Sequence, residues 1–134
     1  MKIPKLKKKA FKIDLVIYPY TIFVGFLDPH SLMKTLEQHK YPIKEEELEK
    51  VRGIIEKDSH DYGAVICPLD NGNIVIFIPE QVKESSYMVN IITHESFHAT
   101  EMILDRIGLT LCEKTDEAYC YLNGFINQAI FEQI

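Results

Sequence analysis

His94, Glu95 and His98 form an H-E-x-x-H pentapeptide, the stretch of this 134-residue chain whose residue types and spacing point most clearly to chemistry. Residues four apart on an α-helix share one face, so the imidazoles of His94 and His98 could bind the same zinc ion. A glutamate directly after the first histidine lies near the open coordination position and could accept a proton from water there. The pentapeptide therefore predicts a zinc-dependent hydrolase with one zinc ion per chain and Glu95 as the catalytic base.

A catalytic zinc ion normally has three protein ligands, so the two histidines need a third donor. The position six residues after His98 is Leu104, which excludes the three-histidine pattern of metzincins. Asp105 lies about two helical turns beyond His98, and Glu101 lies beside the ion in a poor position for tetrahedral geometry. Glu117 starts a later predicted helix that can fold back, and we expect it to be the third ligand.

The pentapeptide lies in a predicted helix from Tyr87 to Ile107, with serines at the expected N-cap and a glycine at the C-terminal stop. Its apolar residues recur at helical spacing, which predicts a buried helix. The two histidines and the glutamate would then need polar partners, and a metal ion would be such a partner. A second helix is predicted from Asp116 to about Gln133. Because Glu117 precedes Tyr121, an apolar position of that helix, by four residues, we expect its carboxylate to point inward.

The remaining segments read as strands and short helices. The turn sequence Asp70-Asn71-Gly72-Asn73 predicts a tight hairpin. The strand that follows it is apolar on both faces, so we expect it to be covered on both sides or to lie near the centre of the sheet. The order of elements predicts an α+β fold: a small, mostly antiparallel, twisted sheet packed against the active-site helix and a C-terminal helix. The predicted segments are strands 11–18, 21–27, 62–67 and 73–78 and helices 32–39 and 45–57.

An H-E-x-x-H helix followed by a loop and a glutamate-bearing helix resembles the gluzincin metallopeptidases. The stretch Glu117-Ala118-Tyr119-Cys120-Tyr121 resembles the E-A-x-x-[FY] helix of the small ImmA/IrrE-like peptidases, several of which are encoded by phages and mobile elements. The resemblance extends from about Tyr62 to the C-terminus and is specific at the motif residues. It implies a zincin-like fold in which His94, His98 and Glu117 bind zinc. It also implies a peptide or protein substrate, hydrolysed by a zinc-bound water that Glu95 activates.

Peptide hydrolysis also needs a donor for the developing oxyanion. The candidates are Tyr62, His60, Tyr119 and Tyr121, although tyrosines at helical spacing more often belong to a core. Asp116 could orient a ligand histidine, or it could be an acidic residue favoured by the helix dipole. The predicted hairpin could offer its edge to an extended peptide.

Charge is unevenly distributed along the chain: six lysines and no acidic residue lie in the first twelve residues, although the net charge is −5. We divide the chain into a basic N-terminal arm, residues 1–10, which could be flexible, and a single domain, residues 11–134. A short lysine-rich terminus is usually solvated, and no further feature supports nucleic-acid binding. Lys12, Asp14 and Pro19 interrupt the apolar stretch that follows, so neither a secretory signal nor a membrane span is predicted.

The three cysteines are typical of a reducing compartment, so we expect a cytoplasmic protein. Cys67 and Cys120 are expected to be buried, and His30 and His39 exposed.

A non-enzymatic alternative stays open: a zinc-binding or partner-binding module of a phage or mobile element. Glu95 favours the enzyme, because a purely structural metal site needs no carboxylate beside an open coordination position.

Overall fold

The computed structural model describes residues 7–62, 64–79 and 85–134, except for the side chains of residues 58–62 and 85. Within these residues the chain forms four helices and one four-stranded sheet, and it has the α+β character that the sequence predicts. In chain order the elements are β1 (Ala10–Asp14), β2 (Thr21–Phe26), α1 (Pro29–Glu37), α2 (Glu45–Tyr62), β3 (Val65–Pro68), β4 (Ile74–Ile78), α3 (Ser85–Arg106) and α4 (Asp116–Phe131).

The strands are arranged in the order β1-β2-β4-β3. The pair β3–β4 is an antiparallel hairpin, as predicted, and β1 and β2, predicted only as strands, form a second one, but β2 and β4 run parallel. The sheet is therefore mixed, which corrects the prediction of a mostly antiparallel sheet. A parallel pair needs a crossover, and here α1, α2 and β3 lie between the two strands in sequence. Turn residues in a sequence identify a hairpin, but they do not determine which strands of two hairpins pair with each other or in which direction.

All five residues of β4 are buried, which confirms the expectation from its continuous apolar run. Ile74, Ile76 and Ile78 belong to the core beneath α3 and α4, whereas Val75 and Phe77 belong to the core beneath α1 and α2. Helices thus cover both faces of the sheet. The sequence analysis placed only the active-site helix and the C-terminal helix against it.

The connection between β1 and β2 begins earlier than predicted. β1 ends at Asp14, whose carboxylate accepts a 2.8 Å hydrogen bond from the Thr21 hydroxyl, and the Leu15 N–H donates to the Tyr20 carbonyl at 3.1 Å. Val16 and Ile17 consequently lie in a projecting turn rather than in the strand, and they are 86% and 79% exposed.

Several helix boundaries also differ from the predicted ones. α1 begins at Pro29, because the Asp28 carboxylate caps it by accepting hydrogen bonds from the His30 N–H at 3.1 Å and the Ser31 hydroxyl at 2.7 Å. α2 continues to Tyr62, which was expected to start a strand. α1 therefore starts earlier, and α2 ends later, than the amphipathic pattern of the sequence predicts.

The part of the basic arm that the structure describes lies against the domain. The Lys7 N–H donates to the Gln133 carbonyl at 3.0 Å, and its ammonium donates to the Glu132 carbonyl at 2.9 Å. A cation is favourable at this end of α4 because the helix dipole is negative there. Among the described residues, we find no helix that combines the length and the apolar character needed to cross a membrane.

The C-terminal end of α3 is held by the β3–β4 turn. Gly72 has a φ of +93°, and the Arg106 side chain packs directly over it, where a Cβ would lie 2.5 Å from the guanidinium Nε. Arg106 also donates to the Asp70 carbonyl at 3.1 Å and lies 5.9 Å from the centre of the Tyr20 ring. These contacts fix the position of α3, and hence of the pentapeptide, relative to the sheet.

Candidate functional site

The two histidines of the pentapeptide face each other on the exposed side of α3. The Nε2 atoms of His94 and His98 are 3.1 Å apart, and the ring planes are inclined by 72°. Two nitrogen ligands about 2.05 Å from one zinc ion, at a tetrahedral angle, would lie about 3.3 Å apart. The pair therefore fits two adjacent ligand positions of one metal ion with little adjustment.

The exposure of the histidines corrects the expectation that they are enclosed among apolar side chains. Met88, Ile92, Ala99 and Ile103 are buried beneath α3, whereas the histidines lie outside this apolar face. At about 100° per residue, a position two residues from Ile92 leaves the buried face of the helix. Solvent exposure gives a metal ion and water direct access to both imidazoles.

Glu95 lies between the histidine pair and the apolar core and is only 7% exposed. Burial raises the pKa of its carboxyl group above the ordinary value, while positive charge on His94 or His98 acts in the opposite direction. Within the described part of the chain, its carboxylate makes no hydrogen bond. The group is thus held beside the histidines and is free to exchange a proton.

Glu117 is exposed on α4, which corrects the expectation that it points inward. The core-facing residues of this helix are Tyr119, Leu122, Ile126 and Ile130, on the side opposite to Glu117. The inward direction had been inferred from Tyr121, which is itself 75% exposed.

A third ligand is not found next to the histidines. Across residues 7–62, 64–79 and 85–134, excluding the undescribed side chains, no three His, Cys, Asp or Glu residues lie close enough to hold one metal ion. His94 and His98 thus fit a metal ion by their own geometry, whereas Glu117, as placed, does not complete a three-ligand set.

The residues proposed for supporting roles have other neighbours. The Tyr119 hydroxyl donates to the Leu109 carbonyl at 2.8 Å, and Tyr121 lines a groove to which α3 contributes no residue. The Asp116 carboxylate accepts a 2.8 Å hydrogen bond from the Glu117 N–H, which is the local role of an acid at a helix N-terminus. The side chains of Tyr62 and His60 lie outside the described residues.

A groove of about 540 Å³ opens beside His94 between α3 and α4, and the sequence analysis did not anticipate it. Phe97 and Val89 give it an apolar part, and Asn90, Asn123 and Thr93 add uncharged polar groups. Helical spacing from His94 could have indicated Asn90 and Phe97. Asn123 comes from α4, so its position depended on the tertiary structure.

Other sequence expectations have mixed outcomes. Cys67 is buried as expected, whereas Cys120 is exposed, because it lies away from the core-facing side of α4. His39 is only partly exposed, because its ring packs edge-on against Phe23 at 4.9 Å, while His30 is exposed as expected. The three cysteines are free thiols.

Comparisons of the chain with protein-family models, with curated proteins and with solved structures give no match. The interpretation of the site therefore depends on the geometry of His94, Glu95 and His98 and on the sequence resemblance of the motif.

Proposed function

We propose that this chain is a zinc-dependent peptidase with a zincin-like active-site helix, in which His94 and His98 bind one zinc ion. The observation that supports the proposal is the 3.1 Å separation of the two Nε2 atoms on an exposed helix face, with the buried Glu95 carboxyl beside them. A purely structural pair of histidines would not require a carboxylate held at the same place.

Glu95 would act as the general base and then as the general acid. A zinc ion held by the histidines would supply Lewis acidity that brings deprotonation of water close to neutral pH. Glu95 accepts the proton from the water that attacks the scissile carbonyl, and it returns this proton to the leaving amine as the C–N bond breaks. Because burial raises the pKa of Glu95, its carboxylate is a stronger base than an exposed glutamate.

The substrate we propose is an extended segment of a peptide or a specific protein. β3 is an edge strand of the sheet, and its residue Ile66 and the preceding Ala64 pack into the same core as α3. An unpaired strand edge near the histidine helix can accept main-chain hydrogen bonds from a substrate strand. The groove lined by Phe97 and Asn123 would receive part of the same substrate on the other side of His94.

Glu117 remains our proposed third ligand on the strength of the sequence resemblance alone. It lies in the first turn of α4, and helix ends can rearrange more easily than helix centres. Zinc affinity measures its role directly, because a site with three protein ligands binds zinc much more tightly than a site with two.

The decisive experiment is the zinc content of tag-free chain purified without chelators, compared with His98→Asn, Glu117→Ala and Glu113→Ala. Glu113 is an exposed acid just before α4 and serves as the matched control. We expect about one zinc per native chain and per Glu113→Ala chain, and little zinc in the other two variants. Zinc absent from the native chain even after reconstitution would refute the proposal. Zinc retained in Glu117→Ala would refute only the third ligand.

A further inference from the structure

A groove with a largely apolar lining lies between the β1–β2 connection and α4, and we call it the α4 groove. Its volume is about 790 Å³. One wall is formed by Leu15, Val16, Ile17 and Tyr18, and the other by residues of α4 that include Tyr121 and Phe125. None of the described residues that line it carries a charged side chain.

The exposure of these side chains is high for large apolar groups. Val16, Ile17, Tyr121 and Phe125 are 86%, 79%, 75% and 41% exposed. Single exposed apolar residues are common, but a contiguous set on both sides of a recess is typical of an interaction surface.

We infer that the α4 groove binds a second copy of this chain and forms a symmetric dimer. The surface contains a projection, the turn with Val16 and Ile17, directly beside a recess along α4. In a two-fold arrangement the same surface meets itself, so each projecting turn can enter the recess of the other copy. A projection next to a recess is the shape that such self-pairing requires.

The uncharged lining makes this surface suitable for self-association. The chain carries a net charge of −5, so two copies repel each other overall and can approach most easily through a surface without charge. The α4 groove has no charged lining residue and can be buried against itself without stranding a charge in the interface.

The four exposed apolar side chains would supply more than half of the area that a standard interface buries. Exposed apolar side chains of this size, aromatic ones above all, would bury on the order of 500 Å² per copy when four of them are covered. Standard interfaces bury about 800 Å² per partner, and the polar rim around the groove would supply the rest. The dimer does not depend on the proposed peptidase activity, because His94 and His98 do not line this groove.

Sedimentation velocity and light scattering on the full-length chain from about 1 to 500 µM would test the dimer, a range that brackets the affinity of modest interfaces. The variants are Ile17→Lys and Tyr121→Lys, which place a charge in the groove. The matched control is Leu111→Lys, at a 54% exposed apolar residue in the loop before α4. Circular dichroism of each variant verifies that the exposed substitutions leave the fold intact.

We expect the native chain and Leu111→Lys to dimerise, and each groove variant to raise the dissociation constant by at least about tenfold. A native chain that stays monomeric over the whole range would overturn the inference and leave the groove to a different protein or a lipid. A dimer that persists in both groove variants would also overturn it, because the contact would then lie on another surface.

Discussion

The Tyr119 hydroxyl, in the first turn of α4, donates a 2.8 Å hydrogen bond to the carbonyl of Leu109, in the loop that follows α3. The Tyr119 ring also lies 6.5 Å from the Phe97 ring of α3. Together these contacts fix the start of α4 relative to α3, the helix that carries the two histidines. They therefore determine where Glu117 stands relative to the two histidines.

Tyr119→Phe should lower the free energy of unfolding by about 1 kcal/mol, because the Leu109 carbonyl loses a partly buried hydrogen bond. Urea denaturation followed by circular dichroism measures this change. Turnover should stay the same, since the hydroxyl serves the loop rather than the oxyanion. A loss of kcat on the order of 10²-fold or more would instead make Tyr119 the oxyanion donor. Tyr121→Phe, at an exposed tyrosine, is the control and should change neither quantity.

Glu95→Gln should retain zinc and lower peptide hydrolysis by at least about 10²-fold, because the amide cannot accept the proton from water. A peptide library analysed by mass spectrometry measures turnover without knowledge of the natural substrate, and metal analysis measures zinc. Glu101→Gln, at an exposed acid six residues further along α3, is the control. Unchanged hydrolysis by Glu95→Gln would rule out Glu95 as the base.

Gly25→Ala should destabilise the fold by about 1–3 kcal/mol, which is typical of overpacking. A Cβ on Gly25 of β2 would lie 2.7 Å from the Cβ of Leu32, so α1 would have to move away from the sheet. The matched variant is Gly53→Ala in α2, where no atom lies within 4 Å of the added methyl group. It should stabilise the chain by about 0.5–1 kcal/mol through helix propensity. Equal effects of the two substitutions on urea denaturation would contradict this packing.

His39 should make the fold less stable in mildly acidic solution. Burial, and then the charge of Lys12, lower the pKa of its imidazole below the ordinary 6.5, while Asp14 acts in the opposite direction. A lowered pKa means that the folded state binds the proton less readily than the unfolded state does. The contribution of His39 is therefore present above pH 6.5 and is lost as the pH falls through the folded-state pKa.

The comparison that isolates this contribution is His39→Gln beside His30→Gln, an exposed histidine. Unfolding free energies measured from about pH 7.5 to 5 should decline less in His39→Gln than in the native chain. The His30→Gln chain should follow the native curve. Parallel declines in all three proteins would show that His39 is not responsible for the acid sensitivity.

Local features of the fold were predictable from the sequence, because residues close together in the chain determine them. The Asp70–Asn73 turn and the apolar run of β4 identified the second hairpin, and the histidine spacing placed two imidazoles on one face of α3. A four-residue spacing fixes which side chains are neighbours on a helix, whatever the helix packs against.

The rotation of each helix depended on contacts between distant segments. Apolar residues surround much of α4, and its sequence alone did not show that Leu122 and Ile126, rather than Tyr121 and Phe125, face the core. Because the sequence analysis took Tyr121 as a core-facing residue, it predicted that Glu117 points inward, whereas Glu117 is exposed in the structure. The apolar side chains left outside then became one wall of the α4 groove.

The sequence by itself thus determined the placement of His94 and His98 on one face of a helix, the α+β class and the β3–β4 hairpin. The tertiary structure decided the parallel β2–β4 pairing, the outward direction of Glu117 and the exposure of the histidines. The physical reason is that periodicity, caps and turns depend on neighbouring residues in the chain. Strand pairing and helix rotation instead depend on which apolar surfaces, far apart in sequence, bury each other.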